Sequence, residues 1–122
     1  MTRETTIIER GTAARRLVES VDERRRERAN RIDVINATER GDRLIATVRS
    51  EDKAKTYNTV ISLDVRGRRG WVRCDCDDNH RRNLPCKHSV AVANRYRATK
   101  REELLRLRGD AATQDTPTPE KP

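Results

Sequence analysis

The chain has 122 residues with 28 Lys and Arg against 20 Asp and Glu, so it is long enough for one small domain and carries a formal charge of +8. Only 33% of it is hydrophobic, Phe is absent and 39% is charged, so its core is thin, and a domain of that kind needs a staple such as a structural metal. No apolar run is long enough for a secretory signal or a bilayer span, and three cysteines do not make a paired disulfide framework, which excludes a membrane role and points to a reduced, intracellular, cytoplasmic setting.

In chain order, residues 1–11 read as an N-terminal extension that carries Ile7 and Ile8 and ends at Gly11. Thr12 is placed to cap a helix whose apolar face is Ala13, Ala14, Leu17, Val18 and Val21, and residues 12–42 hold this helix and the first strand. The charged run over 22–28 is either a nucleic-acid-binding arm or a solvated helical extension with Asp22 facing Arg26 and Glu27 facing Arg31. The interleaved acids favour the second reading. From Ile32 the period changes to two: Ile32 and Val34, then Leu44, Ala46 and Val48, then Tyr57, Thr59, Ile61 and Leu63, with turns over 39–42 and 50–53. This predicts an antiparallel meander with one buried face. A further turn over 66–70 delivers Trp71, Val72 and Arg73 into Cys74.

All three cysteines and both histidines lie between Cys74 and His88. Cys74-Asp75-Cys76 and Cys86-Lys87-His88, separated by nine residues, offer the soft thiolates and the imidazole of a closed tetrahedral zinc site. In an extended segment Cys74 and Cys76 would share a face with their Cα atoms about 6.6 Å apart, wider than the ~3.8 Å between two sulfurs on one zinc, so the chain must bend there or the side chains must lean together. Cys86 and His88 cannot face each other within a helix and are expected at a helix start, where Pro85 suits a first helical position and the partial positive charge of the terminus favours the Cys86 thiolate. His80 is the competing fourth ligand in place of His88, though it lacks a paired spacing. The bland alternative is that the cysteines are small buried hydrophobes. Three thiolates and an imidazole leave no open position for water, so the metal is expected to be structural and the protein not an enzyme, with no small-molecule substrate. A carboxylate of Asp75, Asp77 or Asp78 is a candidate to orient the His88 ring.

After this clasp, Val90, Ala93 and Tyr96 make one helix face, with Ala91 and Val92 beside them. Thr99 with Glu102 reads as a capping box that opens a second helix over 99–109, stopped by Gly109; its leucines Leu104, Leu105 and Leu107 either complete the core, as apolar helix faces usually do, or meet a partner. The segment 110–122, rich in Thr, Pro and acids, reads as a disordered tail.

The motif Cys74-Asp75-Cys76, a loop, then Cys86-Lys87-His88 resembles the SWIM-type zinc finger, and the strand-like segment ahead of it and the apolar helix after it extend the likeness over about residues 43–98. The resemblance implies zinc binding and a role in DNA or protein interaction, and does not imply one reaction. The expected fold class is α+β: an N-terminal helix, a small antiparallel sheet of three to four strands, a zinc knuckle, and one or two C-terminal helices.

Two functions follow. The first is a nucleic-acid-binding accessory factor with little sequence preference, in which Arg66, Arg68, Arg69 and Arg73 on the hairpin and Arg81, Arg82, Lys87, Arg95 and Arg97 around the clasp meet phosphates. A shortage of aromatic residues argues against base-specific readout, because Trp71 is the one aromatic that does not fit a core position. The second is a protein-protein adaptor in a DNA transaction complex of the recombination, transposition or chromatin type, docking through the leucine helix or the loop over 77–83.

Overall fold

The computed structural model describes residues 2–64, 71–82 and 84–115, with residues 110–115 by their helical backbone alone. Its first helix, α1 (Arg3–Glu19), begins well ahead of Thr12, because Thr2 performs the capping: its hydroxyl accepts the Thr5 N–H at 3.0 Å. Residues 3–11 are therefore helical, and the Thr12 hydroxyl donates to the Ile8 carbonyl within the helix instead of opening it. Ile7, Ala14, Leu17 and Val18 form the buried stripe.

The charged run is a separate helix, α2 (Glu23–Ala29), capped by the Asp22 carboxylate on the Arg25 N–H at 3.2 Å. Its ion pairs differ from the expected ones: Asp22 pairs with Arg25, and Arg31 reaches Glu51. Spacing alone cannot distinguish an i,i+3 from an i,i+4 partner, nor anticipate an acid from a distant turn.

Four antiparallel strands follow in simple order, β1 (Asp33–Arg40), β2 (Arg43–Arg49), β3 (Thr56–Ser62) and β4 (Val72–Cys74). Gly41 takes a left-handed φ of 59° in the first turn, and Lys53 does so at 62° in the second. Leu44, Ala46 and Val48 of β2 and Thr59 and Ile61 of β3 turn inward and are buried. The inward face packs beneath the long last helix, α4 (Lys87–Asp115), against which α1 and α2 lie, with Val90, Ala91, Val92, Ala93 and Tyr96 closing the core. The short α3 (Asp77–Arg82) links β4 to α4.

The C-terminal region differs from expectation. One continuous helix passes through Thr99, Gly109 and on to Asp115, so Thr99 caps nothing, Gly109 stops nothing, and the segment taken for a tail from residue 110 begins as helix. Ala, Arg, Leu and Glu dominate the stretch and no proline interrupts it, and α1 lies alongside: Arg3 pairs with Glu103 at 2.7 Å and Arg108 with Glu4 at 2.8 Å. Leu104 is half-buried, but Leu105 and Leu107 are exposed and do not complete the core. The fold is α+β, and no helix among the described residues is long and apolar enough to cross a membrane.

Candidate metal centre

The side chains of Cys74, Cys76, Cys86 and His88 come from three places. Cys74 ends β4 on its inward face, Cys76 sits in the bend before α3, and Cys86 and His88 stand at the start of α4. The bend that the Cys-x-Cys spacing requires lies at Asp75 and Cys76, where the strand gives way to helix at Asp77. Asp75 turns away and accepts the Asn58 N–H at 3.0 Å, extending the sheet edge.

Both later cysteines act as helix caps. The Cys76 carbonyl accepts the His80 N–H at 3.2 Å and its sulfur accepts the Asn79 N–H at 3.4 Å. The Cys86 carbonyl accepts the Val90 N–H at 3.1 Å, and the Ser89 hydroxyl accepts the Cys86 N–H at 3.0 Å, the return half of a capping box. Pro85 thus precedes the cap and is not the first helical residue. Each thiolate sits where backbone N–H groups converge, which favours its charge.

The four donor atoms lie within 4.8 Å of one another and all four residues are buried. The Nδ1 of His88 is 3.9 Å from the Cys74 sulfur and 3.8 Å from that of Cys86. A tetrahedral zinc with bonds of about 2.3 Å to sulfur and about 2.0 Å to nitrogen separates such atoms by roughly 3.6 Å, so a small contraction about an ion closes the sphere. His80, on the exposed side of α3, is not part of it.

The protonation balance fits the same donor set. Hydrogen bonding to Cys76 and Cys86, and then burial, push the Cys74 thiol far up; hydrogen bonds from Cys74 and Cys76, with help from Ser89 and against burial, hold Cys86 down at about 3. Without a cation the cluster keeps the Cys86 thiolate by keeping the proton on Cys74, and a dication removes that constraint. The residues fit one structural zinc ion, held by Cys74, Cys76, Cys86 and His88.

Sequence spacing did not reveal the supporting residues. Thr59, fully buried opposite Cys74 in the ladder, donates its hydroxyl to the Cys74 sulfur at 3.3 Å. Asn79, also buried, accepts the Cys74 N–H at 3.0 Å and donates to the Leu84 carbonyl at 2.9 Å, tying the strand end to the loop before α4. The Tyr57 ring lies 4.7 Å from that of His88 at a 44° tilt. The one advance signal was Thr59 itself, a hydroxyl in an apolar period-two series; nothing local marked Asn79.

Among the described residues no carboxylate orients His88: its Nε2 is buried without a hydrogen-bond partner, Asp75 is engaged with Asn58, and Asp78 takes a two-pronged ion pair from Arg25 at 2.8 and 2.9 Å.

Of the expected phosphate contacts, Arg66, Arg68 and Arg69 lie outside the described residues. Arg73 and Arg81 are exposed. Arg82 is occupied by Asp78 and the Pro85 carbonyl, Lys87 by Glu51 and Arg95 by the Val34 carbonyl, while Arg97 lines a groove between α1 and α4.

Comparison with known families matches residues 72–97 to the SWIM zinc finger. The match runs from β4 through the first turns of α4 and leaves β2 and β3 outside it. Neither the curated proteins nor the solved structures contain a match to the chain.

Proposed function

From a chain whose residues 72–97 match the SWIM zinc finger, we propose that the protein is a nucleic-acid-binding accessory factor in which zinc shapes the fold and takes no part in a reaction. The observation that carries this reading is the excess of uncommitted cations. Among the described residues the ion pairs draw on seven acids, several of them shared: Glu51 serves Arg28, Arg31 and Lys87, and Glu39 serves Arg10 and Lys100. Arg15, Arg24, Arg26, Arg40, Arg73 and Arg81 remain exposed with no ion pair among the described residues. Such cations attract phosphates regardless of sequence, and four buried ligands supply no open metal position for catalysis.

The test is fluorescence anisotropy of labelled oligonucleotides, titrated across salt. Binding is expected to weaken along a straight log-log line, and Arg73→Glu to weaken it further. Absence of binding at about 50 mM salt refutes the reading.

A second reading, a protein adaptor, is favoured by one feature: the groove between α1 and α4 is lined by Ile8 and Leu104 among Arg15, Arg97 and Arg101, and Ile8 is 46% exposed. Protein capture that is abolished by Ile8→Glu and insensitive to nuclease would support it.

A further inference from the structure

The helices cover one face of the sheet, and among the described residues no element packs on the other. Strand alternation and the ladder register define what that open face presents. One row across it runs Arg40, Arg43, Ser62 and Trp71, the last step fixed by the Ser62 N–H donating to the Trp71 carbonyl at 3.0 Å. The next row runs Thr38, Ile45, Val60 and Arg73. Trp71 is 42% exposed and Ile45 40% exposed, although both are large and apolar. The Arg43 guanidinium lies 5.3 Å from the centre of the indole, reaching across the small Ser62, which is buried beneath the pair. These two rows contain no carboxylate. Of the acids along this face, Asp33 and Asp75 lie towards the other end, where Lys53 engages the first and Asn58 the second, while Asp42 and Asp64 lie in the chain turns beside the first row.

We propose that this end of the open face binds an unpaired nucleic-acid strand, with Trp71 as the platform on which a base stacks and Arg40, Arg43 and Arg73 as the groups that take the phosphates. The inference rests on the nucleic-acid reading above and narrows it to single strands at a named surface. The physical reasons are three. An exposed indole on a sheet is a flat surface that any unpaired base can cover, whereas the bases of a duplex already cover one another. The Arg43 guanidinium over one side of the ring holds it in place and adds charge where the backbone would pass, so a base stacks from the other side. Ile45 and the half-buried Val60 extend the apolar floor by one further row, leaving room for a neighbouring base or sugar.

The chain has a single tryptophan, which makes the experiment direct. The zinc-loaded full chain is titrated with an oligodeoxythymidylate of about 12 nucleotides and with a duplex of equal length, following labelled-oligonucleotide anisotropy and intrinsic fluorescence at about 50 mM salt. The single strand is expected to quench the Trp71 emission and to bind more tightly than the duplex. Trp71→Ala is expected to weaken single-strand binding about tenfold while leaving duplex binding within about twofold, and Trp71→Phe to recover most of the loss. Zinc content and circular dichroism verify that Trp71→Ala is folded. Single-strand binding without quenching, and equal in Trp71→Ala, overturns the sheet-face site while leaving phosphate binding intact; so does a preference for the duplex. If the wild type binds neither form, the nucleic-acid reading itself fails, and this inference with it.

Discussion

Thr59→Val isolates one bond of the metal centre. The Thr59 hydroxyl is sealed from solvent and donates to the Cys74 sulfur at 3.3 Å, and valine replaces that hydroxyl with a methyl of similar size. A hydrogen bond to a charged acceptor is worth about 1.5–3 kcal/mol, or roughly 10- to 150-fold in an equilibrium constant, and outer groups around metal sites typically contribute about 10- to 100-fold in affinity. Zinc binding is therefore expected to weaken about 10- to 100-fold. The direction with pH also follows. The hydroxyl lowers the Cys74 thiol against the stronger upward pull of its neighbours and burial, so removing it lets protons compete better and moves the metal-loading curve to higher pH. Zinc competition against a chromophoric chelator, under reducing conditions at several pH values, measures both effects. Thr59→Ser keeps the donor and should bind zinc close to the wild-type affinity. Zinc affinity of Thr59→Val within twofold of wild type would refute the reasoning, and a serine variant as weak as the valine would show that packing, not the hydrogen bond, was lost.

Stripping the metal with a strong chelator, or Cys86→Ala, should unfold the junction of α3 with α4, since structural zinc supplies about 10–16 kcal/mol in finger peptides against a typical domain stability of about 5–15 kcal/mol; an unchanged far-ultraviolet circular dichroism spectrum would oppose this. Two glycines should respond in opposite directions. Gly11 lies inside α1 with open space where an alanine methyl would stand, so Gly11→Ala should raise stability by about 0.5–1 kcal/mol, whereas Gly41, at a φ of +59°, should lose about 1 kcal/mol or more on the same change, both read from denaturant midpoints. At Glu39, burial pushes the carboxyl up, but hydrogen bonds from Lys100, Arg10 and Tyr96 outweigh it and leave the group below its ordinary 4.5. Its contribution is therefore present above that value and lost as pH falls through the lowered one. Glu39→Gln should cost about 1–2 kcal/mol at pH 7 in urea titrations, and the gap should close as the pH falls through the lowered titration of Glu39.

The sheet was legible because its inward residues alternate without interruption, from Leu44 to Val48 and from Tyr57 to Leu63, and a period of two leaves little freedom of register. The helix boundaries were not, and for physical reasons. Thr2 and Thr12 are equally good caps in isolation, and what favours the earlier one is the burial of Ile7 once α1 lies along α4, which no local window contains. Gly109 is a helix terminator only where the helix has nothing to continue along; here Arg108 is held to Glu4 of α1. The metal donors were readable because their spacing is itself the chemical requirement. Their supports were not, since Thr59 and Asn79 reach Cys74 through the ladder and through a six-residue helix that exists only once the chain has folded.

The clasp and the open sheet face are mechanically one object. The strand β4 has only three residues and α3 six, both too short to persist alone. The cysteines pack as a small cluster with Tyr57, apart from the main core, so burial of apolar surface does little to hold them. What keeps β4 on the edge of the sheet is its pairing with β3 and the anchoring of Cys74 by the other three donors. Along β4, Cys74 facing inward obliges Arg73 to face outward, and two residues earlier Trp71 with it. Releasing the metal should therefore free β4, disperse the Arg43–Trp71 contact and abolish single-strand binding in step with zinc occupancy. Zinc titrated back into the chelated protein at fixed oligonucleotide should restore binding one equivalent at a time, saturating at one ion per chain. Binding that survives complete demetallation with unchanged affinity would mean that the sheet edge stands without its clasp.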